Sequence, residues 1–154
     1  MKIGVISDTH NFLEPRVLKL FAGVDYILHA GDIGQPSILA ELQEIAAVTA
    51  VSGNTDDPAF RYPPTKIIEL DAHKFLLHHI VNPHDLEDSI GQRIAREKPQ
   101  VVVFGHTHKP FSEQINGTLY FNPGYAGKSR FGMPRTVAIL RCDASGFIPE
   151  LLPL

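Results

Sequence analysis

The chain has 154 residues, a length typical of one domain, and we expect residues 1–154 to form a single domain. Hydrophobic residues make up 44% and charged residues 20% of the sequence, which excludes a disordered polar protein. The formal net charge of −3 gives no broad basic surface for nucleic acid. The single cysteine, Cys142, excludes an internal disulfide, and we interpret it as a small buried thiol.

The amino terminus, MKIGVIS, leads directly into a strand pattern and does not resemble a signal peptide. No apolar run approaches the roughly 20 residues that a membrane span requires. We therefore expect a cytoplasmic protein with no membrane partner. The sequence leaves a homo-oligomer open.

The first half of the chain alternates predicted strands with predicted helices. Strands are predicted at 2–7, 24–30 and 48–52, where short apolar runs are rich in β-branched residues. Helices are predicted at 14–22 and 36–46, where apolar residues recur on one face. This β-α-β-α-β order predicts parallel strands with helical cover.

The second half of the chain is richer in strands. The sequence predicts a helix at 84–97 and a hairpin at 112–121 around an Asn-Gly pair. Further strands are predicted at 66–70, 74–80, 100–105, 135–142 and 147–152. The first two of these strands form a hairpin whose turn is predicted at 71–73. Because antiparallel sheets can pack on another sheet, we expect two facing sheets with helices outside.

Polar side chains capable of binding a metal ion follow five of the predicted strands. They are Asp8 and His10, then Asp32, then Asn54 with Asp56, then His78 and His79, and finally His106 and His108. Ligands in open α/β sheets bind beyond the carboxyl ends of the strands, so parallel strands are expected to bring the first three sets and GHTH to one edge. Each motif alone is also typical of a cap or turn, and the ordered set is what indicates a metal site.

The donor types and spacings narrow the kind of metal site. Imidazole, carboxylate and carboxamide donors together suit manganese, iron, nickel, cobalt or zinc. Residues i and i+2 of an extended segment point the same way, so Asp8 and His10 can reach one ion. His106 and His108 can converge similarly, or a turn at Thr107 can divide them between two ions. Glycines before three of the motifs, Gly31, Gly53 and Gly105, are expected to allow tight turns.

The ordered motifs DTH, GD, GN, a strand-end histidine and GHTH resemble the calcineurin-like metallophosphoesterases. SDTH, HAGD, GNTD, GHTHKP and NPG most resemble the small bacterial and archaeal phosphodiesterase branch. The resemblance implies an α/β fold, a four-layer α/β/β/α sandwich of two mixed sheets flanked by helices. It also implies two divalent ions, with Mn²⁺ expected first and Ni²⁺, Fe²⁺, Co²⁺ or Zn²⁺ as alternatives.

The resemblance also assigns roles to individual residues. One ion is expected on Asp8, His10 and His108, with Asp32 bridging the two ions. The other ion is expected on Asn54, His106 and a strand-end histidine. Relatives commonly have His-Gly-His at the strand end, whereas this chain has HHIV. Strand alternation lets only one of His78 and His79 face the site, and we favour His79.

A second departure concerns the proton donor. Many larger members have a histidine after Gly-Asn that protonates the leaving group, and Thr55 occupies that position here. Asp56 or a metal-bound water is expected to substitute.

The resemblance implies hydrolysis of a small phosphate-ester substrate, a diester in preference to a monoester, by a metal-bridging hydroxide. Catalysis is then expected to involve Asp8, His10, Asp32, Asn54 and Asp56. Lys109, Lys128 and Arg130 are expected to contact the substrate phosphate. The alternative hypothesis is a catalytically weak metal-binding scaffold of the same fold that acts in protein interaction.

Overall fold

Two five-stranded mixed sheets form the centre of the computed structural model, which describes residues 1–154. The strands are β1 (Lys2–Ile6), β2 (Tyr26–His29), β3 (Ala47–Ala50), β4 (Thr65–Leu70), β5 (His73–His78), β6 (Val101–Val103), β7 (Phe111–Ile115), β8 (Thr118–Asn122), β9 (Thr136–Asp143) and β10 (Gly146–Pro153). The helices are α1 (Pro15–Leu20), α2 (Ser37–Gln43) and α3 (Ser89–Glu97), and a short 3-10 helix covers Pro58–Phe60. None of the three α-helices has the length and apolarity needed to cross a membrane.

The strand order is β10-β9-β1-β2-β3 in the first sheet and β4-β5-β6-β8-β7 in the second. The expected parallel arrangement of β1, β2 and β3 is present. The second sheet was expected to be mostly antiparallel, but β5, β6 and β8 pair in parallel. The α3 crossover returns the chain to the same end of the sheet before β6 begins, and β7 lies outside β8 at the sheet edge, which leaves β8 parallel to β6.

Side-chain alternation along the strands builds a four-layer sandwich, and this confirms the expected fold. Residues such as Val5, Leu28 and Phe75 lie between the sheets in a cluster of 15 buried residues. The opposite face of the first sheet packs on α1 and α2, and α3 covers the outer face of the second sheet. Cys142 lies in the central cluster, as predicted, and burial raises the pKa of its thiol to about 11.

Helix starts and turns differ in detail from the predictions. Helix α3 begins at Ser89 instead of residue 84, because the Asp88 carboxylate caps it by accepting from the Gly91 N–H (2.9 Å). The β4–β5 turn contains only Asp71 and Ala72, both with positive φ, instead of three residues. His73 therefore belongs to β5.

Candidate metal centre

The carboxyl ends of strands from both sheets meet at one edge of the sandwich. Asp8 and Asp32 follow β1 and β2 of the first sheet, whereas His79 and His106 follow β5 and β6 of the second. The His106 N–H donates to Asp8 Oδ2 (3.1 Å), and the Gly105 N–H donates to the His79 carbonyl (3.0 Å). The first of these bonds joins the two sheets at the edge where the polar motifs lie, and the second lies within the second sheet.

Five of the candidate ligands converge on a small volume. Asp8 Oδ1 lies 3.2 Å from His108 Nε2, 3.7 Å from His10 Nε2 and 3.8 Å from His79 Nε2. Asp32 Oδ2 lies 3.1 Å from His79 Nε2 and 3.6 Å from His10 Nε2. Ligand atoms that share an ion at bond lengths near 2.1 Å stand about 3–4 Å apart, so these separations suit metal binding. Two sets form, Asp8 with His10 and His108, and Asp8 with Asp32 and His79.

The donor set fits a divalent cation because three of its buried atoms have no hydrogen-bond partner in the protein. Asp8 Oδ1, His10 Nε2 and His79 Nε2 are buried and make no hydrogen bond. A buried polar atom without a partner costs about 1–3 kcal/mol, so natural folds rarely leave three together. A cation coordinated between them satisfies all three atoms at once.

His78 and His79, at the end of β5, have different surroundings. His79 is almost fully buried, and its Nδ1 must donate to the Ala30 carbonyl (2.7 Å), because a carbonyl can only accept. That bond leaves Nε2 facing the carboxylates as a potential metal ligand. His78 instead places its Nδ1 2.8 Å from Thr65 Oγ1 on the neighbouring strand. The geometry therefore favours His79 over His78.

Asn54 and His106 form a more exposed part of the centre. Asn54 Oδ1 lies 3.0 Å from His106 Nδ1, and both residues are exposed. The His106 ring lies 5.4 Å from the His79 ring, and the His10 ring lies 5.5 Å from the His108 ring. The four histidines thus form two pairs.

The electrostatics favour ionised carboxylates. Burial alone would raise the pKa of Asp8 and Asp32, but hydrogen bonds and nearby histidines hold both pKa values below the usual range. The donors include Ser7 Oγ to Asp8 Oδ2 (2.6 Å) and the Thr55 N–H to Asp32 Oδ1 (2.9 Å). Burial opposes protonation of His79, yet the two carboxylates raise its pKa.

The ligand loops adopt an unusual backbone instead of the extended segments that the sequence suggested. The φ angle is positive at each of Asp8, His10, Asp32, His106 and His108. Non-glycine residues in such conformations cost about 1–3 kcal/mol each and cluster at functional sites. In GHTH the N–H of Thr107 donates to the Gly105 carbonyl (2.8 Å), so His106, not Thr107, is the centre of the turn.

The glycines before the motifs serve two different purposes. Gly31 has a φ of +104°, which fits the expectation of a tight turn. Gly53 and Gly105 do not need positive φ; a Cβ at Gly53 would collide with Asp32 Oδ1. A Cβ at Gly105 would collide with Ser7 Oγ and would lie 2.6 Å from Asp8 Oδ2. The turn explanation is wrong for these two, which are small because the carboxylates pack against them.

The Asp56 carboxylate bonds to backbone groups, which favours a positioning role over the proton donor that the sequence suggested. Its Oδ2 accepts from the N–H groups of Gly53 (2.8 Å) and Ile33 (3.2 Å), and its Oδ1 accepts from Gly34 (2.9 Å). Both oxygens are therefore committed as acceptors. Asp56 holds the loop after β2 against the loop after β3, and so positions Asp32 and Asn54.

The three basic residues expected at the substrate lie in different places. Lys109 lines a groove that also contains His106. The Lys128 ammonium lies 5.7 Å above the Phe12 ring, and Arg130 is exposed in the loop after it. Lys109 is thus beside the candidate ligands, whereas the Lys128 ammonium is directed to the Phe12 ring.

Sequence reasoning missed several residues that support the centre. Tyr125 is buried, with its ring 4.7 Å from the His108 ring and its hydroxyl donating to the Lys128 carbonyl (2.8 Å). Asn122 Nδ2 donates to the Gly105 carbonyl (2.9 Å) and thereby fixes the GHTH loop. Only Ser7 carried a usable signal, as a hydroxyl directly before Asp8. The contact of the Tyr125 ring with His108 and that of Asn122 with Gly105 are long-range in sequence.

Comparison with known proteins identifies the class to which this fold and site belong. Residues 1–145 match the model of the calcineurin-like phosphoesterase superfamily domain, and the chain belongs to this superfamily. It is 33% identical to a probable metallophosphoesterase of Methanothermobacter thermautotrophicus, over 99% of this chain and 92% of the relative. It is 31% identical to the phosphodiesterase YfcE of Escherichia coli, over 96% of this chain and 91% of the relative.

A solved structure extends the similarity of fold. The crystal structure of Vps29 from Chaetomium thermophilum superposes with a TM-score of 0.78 over 99% of this chain and 97% of that one. The two sequences are 13% identical, so this likeness concerns the fold alone. Family membership confirms the resemblance seen in the sequence, and it makes the protein a metallophosphoesterase that uses divalent metal ions.

Proposed function

We propose that the protein hydrolyses phosphate esters, and diesters in preference to monoesters, with two divalent metal ions. The observation that carries this proposal is the convergence of Asp8 Oδ1, His10 Nε2 and His79 Nε2, which are buried and unpaired. The similarity to proteins named phosphodiesterases supports the diester preference.

The ligands divide between the two ions in the way that the motifs imply. We assign His10 and His108, with Asp8, to one ion, and Asn54, His79 and His106 to the other. Asp32 is the proposed bridge, because its Oδ2 is close to both His10 and His79. The two histidine ring pairs agree with this division. Asp8 Oδ1 is also near His79, so Asp8 is within reach of both positions.

Two bound divalent ions activate a water molecule near neutral pH and polarise the phosphoryl oxygens of the ester. The protein prepares this chemistry by fixing its donors. Ser7 and the His106 N–H hold Asp8 Oδ2, which leaves Oδ1 free for a metal. The Ala30 carbonyl fixes the His79 tautomer. Lys109, beside His106, is placed to attract an anionic substrate.

The mixed nitrogen and oxygen donors make Mn²⁺ the metal we propose, with Ni²⁺, Fe²⁺, Co²⁺ and Zn²⁺ as alternatives. The proposed substrate is a small phosphate ester. A cytoplasmic location, a single domain and the oligomeric state stay predictions.

Chromogenic phosphate diesters and monoesters test the activity. We expect metal-dependent turnover, faster with the diester, when each divalent metal is added in turn to metal-free protein. His106→Ala should lose metal at one position, whereas His73→Ala, remote on the β4–β5 hairpin, should keep both ions and full activity. The absence of turnover with every metal would exclude the enzymatic proposal.

A metal-binding scaffold is the second candidate function. The observations in its favour are that Thr55 stands where many family members have the leaving-group acid, and that backbone N–H groups occupy the Asp56 carboxylate. All seven candidate ligands are nevertheless present, which favours an enzyme. A chain that binds two metal ions but hydrolyses none of the esters would support the scaffold.

A further inference from the structure

An apolar groove of about 540 Å³ lies directly beside the candidate metal centre. Its wall includes Phe104 and Phe111, whose ring centroids are 5.8 Å apart, and its rim carries the exposed Ile80. The volume lies within the range of about 300–1,000 Å³ that is typical of small-molecule sites. The groove is therefore large enough for an organic group rather than for a few waters.

The groove is continuous with the metal centre. His106 lines it, and Ile80 directly follows His79 in sequence. The Ile80 side chain is large, apolar and 46% exposed, so it offers apolar surface at the rim of the groove next to the proposed metal ligand His79. A phosphate held by the metal ligands would have an attached group within reach of this surface.

The charges of the groove suit such a substrate. No carboxylate lines the groove, and Lys109 is its one permanently charged residue. Besides Phe104, the ring of His84 also lies near Phe111, with 6.0 Å between the two ring centroids. The groove thus has apolar and aromatic walls, and its one cation, Lys109, lies near the proposed ligand His106. Such a groove is complementary to an anionic phosphate that carries a flat aromatic group.

We propose that this groove binds an aromatic ester group of the substrate, so that the protein prefers aryl or nucleobase-bearing phosphodiesters to alkyl ones. The inference rests on the proposed phosphoesterase function. Phe111 and Ile80 are the specificity residues, because they offer apolar surface beside His106.

Two phosphonates that the protein cannot hydrolyse test the groove without relying on activity. Phenylphosphonate and methylphosphonate have similar anionic heads and differ in the group that would enter the groove. Binding to Mn²⁺-loaded protein is measured by titration calorimetry. We expect phenylphosphonate to bind about tenfold more tightly, as burial of part of an aromatic ring predicts.

Substitutions in the groove test whether its residues cause the preference for phenylphosphonate. Phe111→Ala and Ile80→Ser should each lower the phenyl-to-methyl affinity ratio severalfold while methylphosphonate binds as before. Ile115→Ala is the matched control, because Ile115 is on the same strand and in the same partly buried cluster but does not line the groove. Its ratio should equal that of the unmodified protein. If Phe111→Ala does not fold, Ile80→Ser decides, since Ile80 is exposed.

Equal affinity for the two phosphonates, or an unchanged ratio in Ile80→Ser and in folded Phe111→Ala, would overturn the groove proposal and leave the proposed function intact. Failure of the Mn²⁺-loaded protein to bind either phosphonate would instead remove both.

Discussion

The candidate metal centre has a buried half and an exposed half, and they are built differently. Asp8, Asp32 and His79 are at most 2% exposed, and each receives or donates at least one hydrogen bond involving the backbone. Asn54 and His106 are exposed, and their side chains bond to each other. The fold itself therefore fixes the buried half, whereas the side chains of the exposed half depend on their mutual contact.

This difference separates two kinds of contribution to a metal site. The buried donors are positioned when the chain folds, so a cation meets ligands that need little rearrangement. The exposed donors have little packing to hold them, so their orientation depends more on the ion. Changes in the buried half should affect both metal binding and folding, and changes in the exposed half should affect metal binding alone.

The largest effect is expected from Asp32→Asn in the buried half. The change removes the charge proposed to bridge both ions, so metal should be lost from both positions. Activity should fall well beyond the roughly 10–100-fold that changes to residues behind the ligands cause. Metal analysis and diester turnover measure the two effects. The exposed Asp85→Asn is the charge-matched control, and an Asp32→Asn protein that keeps both ions would contradict the bridging role.

A second prediction concerns His29, which lies beneath the buried half. The Gly31 N–H donates to His29 Nδ1 (3.2 Å), so Nε2 carries the proton beside Thr9 Oγ1 (3.0 Å). Burial lowers the pKa of His29 from its usual 6.5 to about 4. The unfolded chain takes up this proton below pH 6.5, but the folded chain does so only near pH 4. Stability present above pH 6.5 should therefore be lost as the pH falls, by roughly 3 kcal/mol.

Denaturant unfolding of the metal-free protein between pH 7 and pH 4 measures this loss. His29→Asn cannot titrate, so its free energy of unfolding should fall less steeply over the same range. The other titrating groups, including Asp8, Asp32 and His79, are common to both proteins, so the difference between the two profiles reports His29 together with its electrostatic coupling to them. Parallel pH profiles would show that His29 is not the group responsible.

A third prediction concerns the close packing behind Asp8. Gly105→Ala adds a Cβ that collides with Ser7 Oγ and crowds Asp8 Oδ2, so we expect a loss of about 1–3 kcal/mol in stability. Metal affinity should fall as well, because Asp8 must move. Gly117→Ala is the control: its Cβ meets open space, and only its φ of +81° is unfavourable. Equal metal affinity in the two variants would argue against the packing explanation.

These glycines also show what the sequence could and could not predict. The apolar runs predicted the strands, and the order of the polar motifs predicted which loops would meet, because parallel strands share an edge. Periodicity carries no information about positive φ at His106 or about a side chain approaching Gly105. The backbone contacts of Asp56 were unpredictable for the same reason, since two of its three N–H donors lie more than 20 residues away. Parallel pairing of β6 with β8 likewise depended on the position of β7 at the edge.

The last prediction concerns the smallest expected effect, the change in stability when one histidine is removed from either half of the centre. His106→Ala in the exposed half should remove one ion but leave the melting temperature of the metal-free protein almost unchanged, because little packing is lost. His79→Ala in the buried half should lower it, since the change opens a cavity and removes the partner of the Ala30 carbonyl, at a cost of about 1–3 kcal/mol. Thermal unfolding of both metal-free variants gives the comparison. If the two variants lose stability equally, the exposed half is as firmly fixed by the fold as the buried half. Metal binding would then act on ligands that are all preformed.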